Sequence, residues 1–559
     1  MVNLKRVLLC SVFGPYGQDD EYGSRRINPM ELYHNQVTRT QGAFSLRMFH
    51  RSWGLMMIQA NIKAPCILLD FPTLDRFIEE ISTQQYDVIG ISSIIPNTSK
   101  VKKMCELIRQ YQPKAVIVIG GHIANVPDLS QQIDADHIVR GEGVRWFRRF
   151  LGEDEDRSLR HPMITSGYGG RNAGIRLKEC PGDVAATVIP SVGCPLGCNF
   201  CSTSAMFGGK GHSINFYQTG DELFYIMDQL ADKMHVRSFF IMDENFLLHR
   251  GRALRLLELM EGYGRSWSLY VFTSANMLQS YSIEQLIRLG ISWVWMGIEG
   301  RNSQYTKLSG IDTFELVEKL QSNGIHVLGS TIIGLENHSA DNIDEVIDHA
   351  VCHNTDFHQF MLYTPIPGTP LYADLKERGL IKDEAEFNPA DIHGQSILNY
   401  RHPLLNDEQT AEFMLRAFNR DFQVNGPSTV RIVRTTLAGW QRYKNHSDLR
   451  IRDRFAWESR ELAGKFSALV GAAKRYYRKH PIMFDKMSSL LGELHTEFGW
   501  KSRFFSAIGG RWILRQIHKE ERRLANGFSY EPPEFYERNE AATDRPEVPL
   551  CNSVVPLLC

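Results

Sequence analysis

Short apolar runs alternate with amphipathic stretches through residues 1–155, a pattern typical of alternating strands and helices. Between the third and fourth runs, Ser99–Gln112 carries apolar residues at helical spacing. This alternation predicts a parallel, doubly wound sheet, in which ligands bind beyond the carboxyl ends of the strands. The predicted strands are Val7–Phe13, Cys66–Asp70, Val88–Ser92, Ala115–Gly120 and His137–Arg140.

A second series of strands and helices runs through Thr187–Pro370. Helical segments such as Gly220–Asp232 and Tyr281–Leu289 separate its strands. Six β/α units predict a partial (β/α)6 barrel rather than the full eight, with chemistry at the carboxyl ends of the strands. The predicted strands are Ala186–Pro190, Ser238–Met242, Ser268–Thr273, Trp293–Ile298, Val327–Ile333 and Phe360–Thr364.

The pattern changes to helices from about Asn406. Residues 431–530 contain 21 Lys and Arg against nine Asp and Glu, with interleaved Trp, Tyr and Phe. Pro and Glu enrich the last 29 residues, which predicts a disordered tail. The predicted domains are 1–155 (α/β), 156–183 (linker), 184–400 (barrel), 401–530 (helical and basic) and 531–559 (disordered tail).

The composition is that of a globular protein, with 43% hydrophobic and 23% charged residues and a net charge of -1. At 559 residues the chain is too long for a single hydrophobic core. No apolar run approaches the ~18 residues needed to span a bilayer. The first residues are better interpreted as a strand than as a signal peptide, so a cytoplasmic protein is expected.

Three of the ten cysteines lie within eight residues, as Cys194-Pro-Leu-Gly-Cys198-Asn-Phe-Cys201. Thiolates are soft ligands suited to iron–sulfur clusters, and three of them leave one iron open to a substrate. The alternative is structural zinc, which prefers four ligands. No second C-x2-C pair exists, although His212 could be a fourth ligand. The motif favours a 4Fe-4S cluster bound by Cys194, Cys198 and Cys201.

The C-x3-C-x2-C motif, with Phe200 before the third cysteine, resembles the signature of the radical S-adenosylmethionine (SAM) superfamily. In that family the open iron binds SAM, and reductive cleavage gives a radical that abstracts hydrogen from unactivated carbon. The barrel resembles the family as well, in Phe240–Phe246, Gly297–Gly300, Gly329–Gly334 and Tyr363–Tyr372. The resemblance implies that the residues contacting SAM are Phe200, Glu244, Ser274, Glu299 and Ile332.

The N-terminal strand ends resemble the flavodoxin-like cobalamin-binding domain of one branch of that superfamily. No D-x-H-x-x-G motif is present, so the histidine that binds the lower face of cobalt in many cobalamin proteins is not found. His122 is either a cobalt ligand or a loop residue that only forms hydrogen bonds. The alternative for the whole domain is a fold that no longer binds cobalamin. The implied cobalamin-binding residues are Ser92, Ser93, Gly120, Gly121, His122, Gly141 and Glu142.

These resemblances imply a cobalamin-dependent radical SAM methyltransferase that acts on an unactivated carbon. The stretches Ser202–Gly211 and Asn215–Tyr217 most resemble those of enzymes acting on large hydrophobic substrates, the nearest being hopanoid C-3 methylases. One alternative is a radical SAM cyclase or oxidative enzyme, like the anaerobic cyclase of chlorophyll synthesis. Another is an RNA- or protein-modifying radical SAM enzyme.

The implied partners are a hydrophobic or lipid substrate and an electron donor such as ferredoxin or flavodoxin. The basic, aromatic C-terminal region has three interpretations: solvated helix faces, nucleic-acid binding, or peripheral attachment to the inner face of an anionic membrane. No nucleic acid is expected, because the catalytic half of the sequence does not support one.

Overall fold

The N-terminal alternation builds a parallel sheet in the computed structural model, which describes residues 5–14, 21–24, 36–180, 182–299, 310–528, 530 and 534–539. The strands are ordered β3-β1-β4-β5-β6, the flavodoxin-like order. Successive residues of β1 point to opposite faces, Leu8 towards α2 and α3 and Leu9 towards α1 and α5. The doubly wound prediction is therefore confirmed. The elements are β1 (Val7–Cys10), β2 (Arg47–Phe49), α1 (Trp53–Asn61), β3 (Cys66–Asp70), α2 (Leu74–Thr83), β4 (Val88–Ser92), α3 (Thr98–Tyr111), β5 (Val116–Gly120), α4 (Leu129–Gln132), β6 (His137–Ile138) and α5 (Gly143–Phe150).

The segment predicted as a linker contains two strands, β7 (Tyr168–Asn172) and β8 (Ile175–Arg176). They form an antiparallel sheet with β2, in the order β2-β7-β8. Ala173 and Gly174 both have positive φ, 52° and 72°, which produces a two-residue hairpin turn. The segment predicted as a linker over 156–183 thus contains a hairpin, which its glycines shape.

Six parallel strands form an open partial barrel, in the order β9-β12-β13-β14-β15-β16. The predicted (β/α)6 architecture is confirmed. Helices cover the outer face of the sheet, where Leu269, Val294 and Met296 are fully or almost fully buried. The elements are β9 (Ala186–Val188), β10 (Ser191–Val192), α6 (Ser202–Met206), β11 (Ile214–Asn215), α7 (Gly220–Met234), β12 (Ser238–Ile241), α8 (Arg250–Gly262), β13 (Ser268–Phe272), α9 (Ala275–Gln279), α10 (Ile283–Leu289), β14 (Ile291–Gly297), α11 (Thr313–Gln321), β15 (His326–Ile333), α12 (Ile343–Cys352), β16 (Phe357–Leu362) and α13 (Pro370–Glu377).

The C-terminal region is helical, as predicted. Its longest helix reverses direction at Gly499, which has φ 58° and ψ −135°, so residues 500–525 run back along residues 481–498. None of the helices in the described ranges is long and apolar enough to cross a membrane. The helices are α14 (Asp407–Asn425), α15 (Ser428–Tyr443), α16 (Leu449–Glu458), α17 (Ser467–Tyr476) and α18 (Pro481–Ala525).

The last described segment is a strand, β17 (Phe535–Asn539), that pairs antiparallel with the outer edge of β3. Its rings are anchored by cation–π contacts: Arg51 lies 4.3 Å from the Phe535 ring centroid and Arg76 lies 5.1 Å from that of Tyr536. The prediction of disorder from residue 531 is therefore wrong for this segment, because an open sheet edge and aromatic contacts order it. Residues 540–559 of that prediction lie outside the described residues.

Candidate functional site

The carboxyl ends of the two parallel sheets face each other. The turn after β5, His122–Asn125, contacts helix α6, which follows the three cysteines. A Cβ on Gly141 would lie 3.9 Å from the carbonyl oxygen of Met206, in the same helix. Gly368, after β16, approaches so closely that its Cβ would lie 2.6 Å from the carbonyl oxygen of Asn125. The cysteine segment is thus held against the ligand-binding edge expected for the N-terminal domain.

Glycine allows a tight turn with close backbone packing in the cysteine segment. The segment leaves and re-enters the barrel through the antiparallel pair β10 and β11. Gly197 has φ 64°, and a Cβ there would lie 2.6 Å from Cα of Lys210. No other residue could take this conformation without moving the opposite side of the loop. The Ser204 hydroxyl donates to the Cys194 carbonyl at 2.8 Å and fixes the first cysteine against α6.

The three thiols interact electrostatically with one another. Burial, together with the nearby charges of Cys201 and Cys198, raises the pKa of Cys194 to about 11. Burial also raises the pKa of Cys201, partly offset by the Ser204 N–H that points at its sulfur. Three thiolates this close need a cation to remain ionised, and soft sulfur donors fit iron. The donor set therefore fits a 4Fe-4S cluster.

A cluster differs from a single-ion site in how its ligands are spaced. Within the described ranges, no three His, Cys, Asp or Glu side chains converge on a point that could hold one metal ion. In a cubane, each cysteine ligates a separate iron atom, so the three thiols need not converge on a single point.

Two polar residues at the end of β12 brace the site. Asp243 is 2% exposed and accepts hydrogen bonds from the Ser191 hydroxyl at 2.6 Å and from the buried Arg252 guanidinium. Asn245 binds the end of β13 through the Thr273 hydroxyl and the hydroxyl and N–H of Ser274. Both side chains are committed to holding strand ends together.

Glu244, between them, has a different environment. The Gly193 N–H, beside the first cysteine, donates to its carboxylate, whose charge raises the pKa of Cys194 and Cys201. Its Oε2 is buried and has no hydrogen-bond partner among the described residues. Burial raises the pKa of Glu244 to about 7. A buried, unpartnered carboxylate oxygen beside the thiols fits a cationic group of a ligand.

Of the other residues expected to contact SAM, Ser274, Glu299 and Ile332 lie at neighbouring strand ends, and Phe200 lies in the cysteine loop. Glu299 is 3% exposed, has φ 49°, and its Oε2 accepts the Ile332 N–H at 3.3 Å. Such a φ is uncommon outside glycine and is often found at functional sites. Phe200 packs edge-on against Tyr363 at 6.1 Å. The Ser274 hydroxyl is occupied by Asn245. Gly300, in the fourth-strand motif, lies outside the described residues.

The strand ends of the N-terminal domain form a close-packed glycine turn. A Cβ on Gly121 would lie 2.5 Å from the Ser93 carbonyl oxygen and 2.9 Å from the Ser92 hydroxyl. Gly120 precedes it with open space around its missing Cβ. The His122 ring forms no hydrogen bond with the described residues, and burial lowers its pKa. The loop hydrogen bond considered for this ring is therefore not found.

Glu142 has a structural role that its sequence context does not reveal. Its carboxylate caps α5, accepting the N–H groups of Val144 and Arg145. A carboxylate at a helix N-terminus is a common stabilising cap. The carboxylate that the sequence predicts to contact a cofactor is therefore already hydrogen-bonded as a helix cap.

An aromatic wall lines the inner face of the barrel sheet. Its rings contact one another from strand to strand, at 4.7 Å between Phe240 and Tyr270 and at 4.9 Å between Phe272 and Trp295. Trp53 of the N-terminal domain packs on Phe240 at 6.0 Å. Sequence reasoning missed this wall, although its alternation with outward-facing residues was a readable signal. We call it the aromatic wall, and its members are Phe240, Tyr270, Phe272, Trp293 and Trp295.

Comparisons with known proteins agree with this geometry. Residues 43–151 match the B12 binding domain and residues 188–350 match the Radical SAM superfamily. The chain is 28% identical to bacteriochlorophyllide d C-12(1)-methyltransferase of Chlorobaculum tepidum, over 56% of this chain and 70% of that protein. It is 22% identical to the anaerobic magnesium-protoporphyrin IX monomethyl ester cyclase of Rubrivivax gelatinosus, over 56% and 63%. It is also 22% identical to hopanoid C-2 methylase of Rhodopseudomonas palustris, over 66% and 71%.

Proposed function

We propose a function from the premise that this chain joins a B12-binding domain to a radical SAM domain and is homologous to cobalamin-dependent radical SAM methyltransferases. The proposed function is methylation of an unactivated carbon of a large hydrophobic substrate. The substrate we favour is a hopanoid, methylated at C-3. The observation that carries the proposal is the contact between the cysteine-bearing segment and the turn after β5. It brings the two cofactor domains together at their strand ends.

Cys194, Cys198 and Cys201 would hold the 4Fe-4S cluster, and Glu244 would bind the amino group of SAM. When bound, the cluster and SAM supply hydrogen abstraction, and cobalamin supplies the methyl group. Glu299 and Ile332 would contact the rest of SAM from the ends of β14 and β15. Asp243 and Asn245, which bond to β10 and to the end of β13, would position Glu244 between them.

Ser92, Ser93, Gly120, Gly121 and His122 would form the cobalamin side of the site. The close approach of Gly121 to Ser93 leaves the turn shallow, so that a flat ring system could lie across it. Gly141, with φ 87°, lies at the same edge and close to Met206. These assignments rest on the strand-end geometry and the resemblance together.

The aromatic wall supports a large hydrophobic substrate. Trp293 and Trp295 alternate with buried outward residues and remain partly accessible inside the barrel. Rings of this kind offer apolar contact without charge, which suits a polycyclic hydrocarbon. The hopanoid methylase relative agrees with that chemistry.

The second candidate is oxidative ring formation on a tetrapyrrole. The cyclase relative supports it, and the aromatic wall would suit a flat macrocycle equally well. Both candidates need a reductant such as ferredoxin or flavodoxin. They differ in whether a methyl group reaches the product.

The deciding experiment is anaerobic incubation of the reconstituted holoenzyme with methyl-deuterated SAM, a reductant and a bacterial lipid extract or purified hopanoid. Mass spectrometry should find the label in the lipid, and fragmentation should place it at C-3. Label at C-2 would correct the position. In a parallel incubation with a magnesium-porphyrin ester in place of the lipid, conversion of the ester without incorporation of label would favour the cyclase.

The cluster assignment has its own test. A protein with Cys194, Cys198 and Cys201 all changed to Ala, reconstituted with iron and sulfide, should lose the cluster absorbance and all SAM cleavage. The exposed residues Cys180 and Cys352 provide matched controls, and their Ala variants should keep both properties. Production of 5′-deoxyadenosine by the triple variant would contradict the assignment.

A further inference from the structure

Residues 500–525 of α18 carry their large apolar side chains on the outside. Trp500, Phe504, Ile508 and Trp512 are 78%, 50%, 57% and 51% exposed. They follow one another at intervals of four, which places them in one stripe along the helix. Phe505 lies beside them and is 37% exposed. A surface helix normally directs such side chains to the core and polar ones to solvent.

The inner face of the first part of this segment, from Ser502 to Gly510, is built from small residues. The Ser502 and Ser467 hydroxyls are 2.7 Å apart, and a Cβ on Gly471 of α17 would lie 2.5 Å from the Ser506 carbonyl oxygen. Gly510 lies against the Gly471–Ala472 backbone. The two helices therefore pack backbone to backbone without the outer rings. Those rings contribute nothing to this helix contact, so their exposure is not the result of a core left open.

The charge of this face is uniformly positive. The sequence has no Asp or Glu from Phe498 to Lys519. Five exposed basic side chains in this interval form no ion pair with any described residue; they are Lys501, Arg503, Arg511, Arg515 and Lys519. Exposed arginines elsewhere are commonly paired, as Arg378 is with Glu336 at 2.7 Å. The whole chain has a net charge of only -1, so the positive charge is local.

We infer that this face, defined by Trp500, Phe504, Phe505, Ile508, Trp512 and the five unpaired basic residues, docks onto an anionic lipid surface. Charge complementarity selects that occupant, because interleaved cations and rings suit a layer with negative headgroups above apolar chains. Trp side chains favour this interface. A second copy of the chain would bring the same positive charges together, which disfavours self-association through this face. The inference does not depend on the proposed chemistry, since it rests on the surface alone.

The test is co-sedimentation of the full-length protein with vesicles of phosphatidylcholine alone or with a rising share of phosphatidylglycerol. Binding should rise with the anionic share and fall as salt is added. Each Lys or Arg of this face changed to Gln should weaken binding by roughly fivefold. A variant with its four stripe residues changed to Ser should bind at least roughly tenfold more weakly. That variant combines Trp500→Ser, Phe504→Ser, Ile508→Ser and Trp512→Ser.

Matched controls use residues equally exposed elsewhere. Ile482→Ser and Tyr225→Ser remove apolar side chains that are 74% and 62% exposed, and should leave vesicle binding unchanged. A second control neutralises exposed lysines away from this face, in the combination Lys102→Gln, Lys114→Gln and Lys376→Gln. Circular dichroism and retained corrinoid binding show that each variant is folded.

Three results would overturn the inference. The first is protein that stays in the supernatant at every lipid composition and salt concentration. The second is binding that the control variants weaken as much as the face variants do. The third is a wild-type protein that is a dimer and a four-residue stripe variant that is a monomer but still binds vesicles. The face would then join copies of the chain rather than bind lipid.

Discussion

At the scale of residues, Asp243 and Glu244 are adjacent acids with opposite environments. Asp243 has a guanidinium partner, and the two side chains are 2% and 1% exposed. Glu244 has an unpartnered buried oxygen and a pKa raised by burial to about 7. Asp243 therefore supports the fold, and the unpartnered oxygen of Glu244 is available to bind a ligand. Substitutions should separate these roles.

Asp243→Asn should destabilise the protein by about 3–5 kcal/mol, because it leaves the Arg252 guanidinium buried without a counter-charge. Chemical denaturation of the protein without cofactors measures this loss. Asp221→Asn is the matched control: its pair with Arg255 is exposed and should matter little. Equal effects of the two substitutions would contradict the structural role given to Asp243.

Glu244→Gln should leave the folded protein and its cluster absorbance intact but weaken SAM binding by roughly tenfold, since a charge-assisted hydrogen bond is lost. Equilibrium binding of SAM to the reconstituted protein measures this effect. Glu222→Gln, in an exposed capping box at the start of α7, serves as the control. Unchanged SAM affinity in the Glu244 variant would remove this residue from the site.

Sequence reasoning identified these residues unevenly. The cysteines and Glu244 were recognisable because a spaced motif and a strand end mark them. The capping role of Glu142 was not recognised, because the sequence alone does not mark the start of α5. The engagement of Ser274 by Asn245 could not be foreseen, since the two are 29 residues apart and meet only when β12 and β13 pair.

At the scale of elements, the close contact of α17 and α18 needs a glycine at position 471. Gly471→Ala would place a methyl group 2.5 Å from a backbone oxygen, so the helices must separate, at a cost of about 1–3 kcal/mol. Gly492→Ala, in α18, meets nothing within 4 Å and should stabilise by up to about 1 kcal/mol. Thermal unfolding of both variants compares them. A stabilising Gly471→Ala would refute the close packing.

The elements found from sequence were those with strong local patterns. The strand Cys66–Asp70 and the helix near Ser99–Gln112 were predicted to within a residue, because apolar periodicity fixes them. The strands β7 and β17 were missed. Their composition is polar or glycine-rich, and each is ordered by a partner strand distant in sequence.

At the scale of the whole molecule, buried histidines couple folding to pH. Burial lowers the pKa of His50, His161, His338 and His353 to about 4 and that of His358 to about 3, from an ordinary 6.5. They are neutral when folded and take up protons on unfolding. The free energy of unfolding should therefore fall progressively as the pH drops below about 6.5, towards about 4.

Denaturant titrations at about pH 7 and about pH 5 measure this fall, in a window above the titration of most carboxylates. His358→Gln removes one buried imidazole, which contacts Thr331 and Thr355, and should flatten the dependence. A free energy of unfolding that stays constant across this window would contradict the buried, neutral state of these rings.

The order and fold class of the domains followed from the sequence, since each domain has its own periodicity and motifs. Their mutual placement did not. The contact between the turn after β5 and helix α6 joins segments about 80 residues apart through shape, with Gly141 and Gly368 allowing the approach. Such contacts leave no periodic trace in the sequence, so the geometry of the site required the structure.

The pairing of β17 with β3 also has a consequence for biosynthesis. While the ribosome makes the rest of the chain, the outer edge of β3 has no neighbour, because its partner begins at Phe535. At roughly 5–20 residues per second, this interval lasts from about 25 to about 95 seconds. An unpaired edge is a template for strands of other nascent chains. Translation that stops before residue 534 therefore releases a product with a permanently open edge, a natural target for chaperones and proteases.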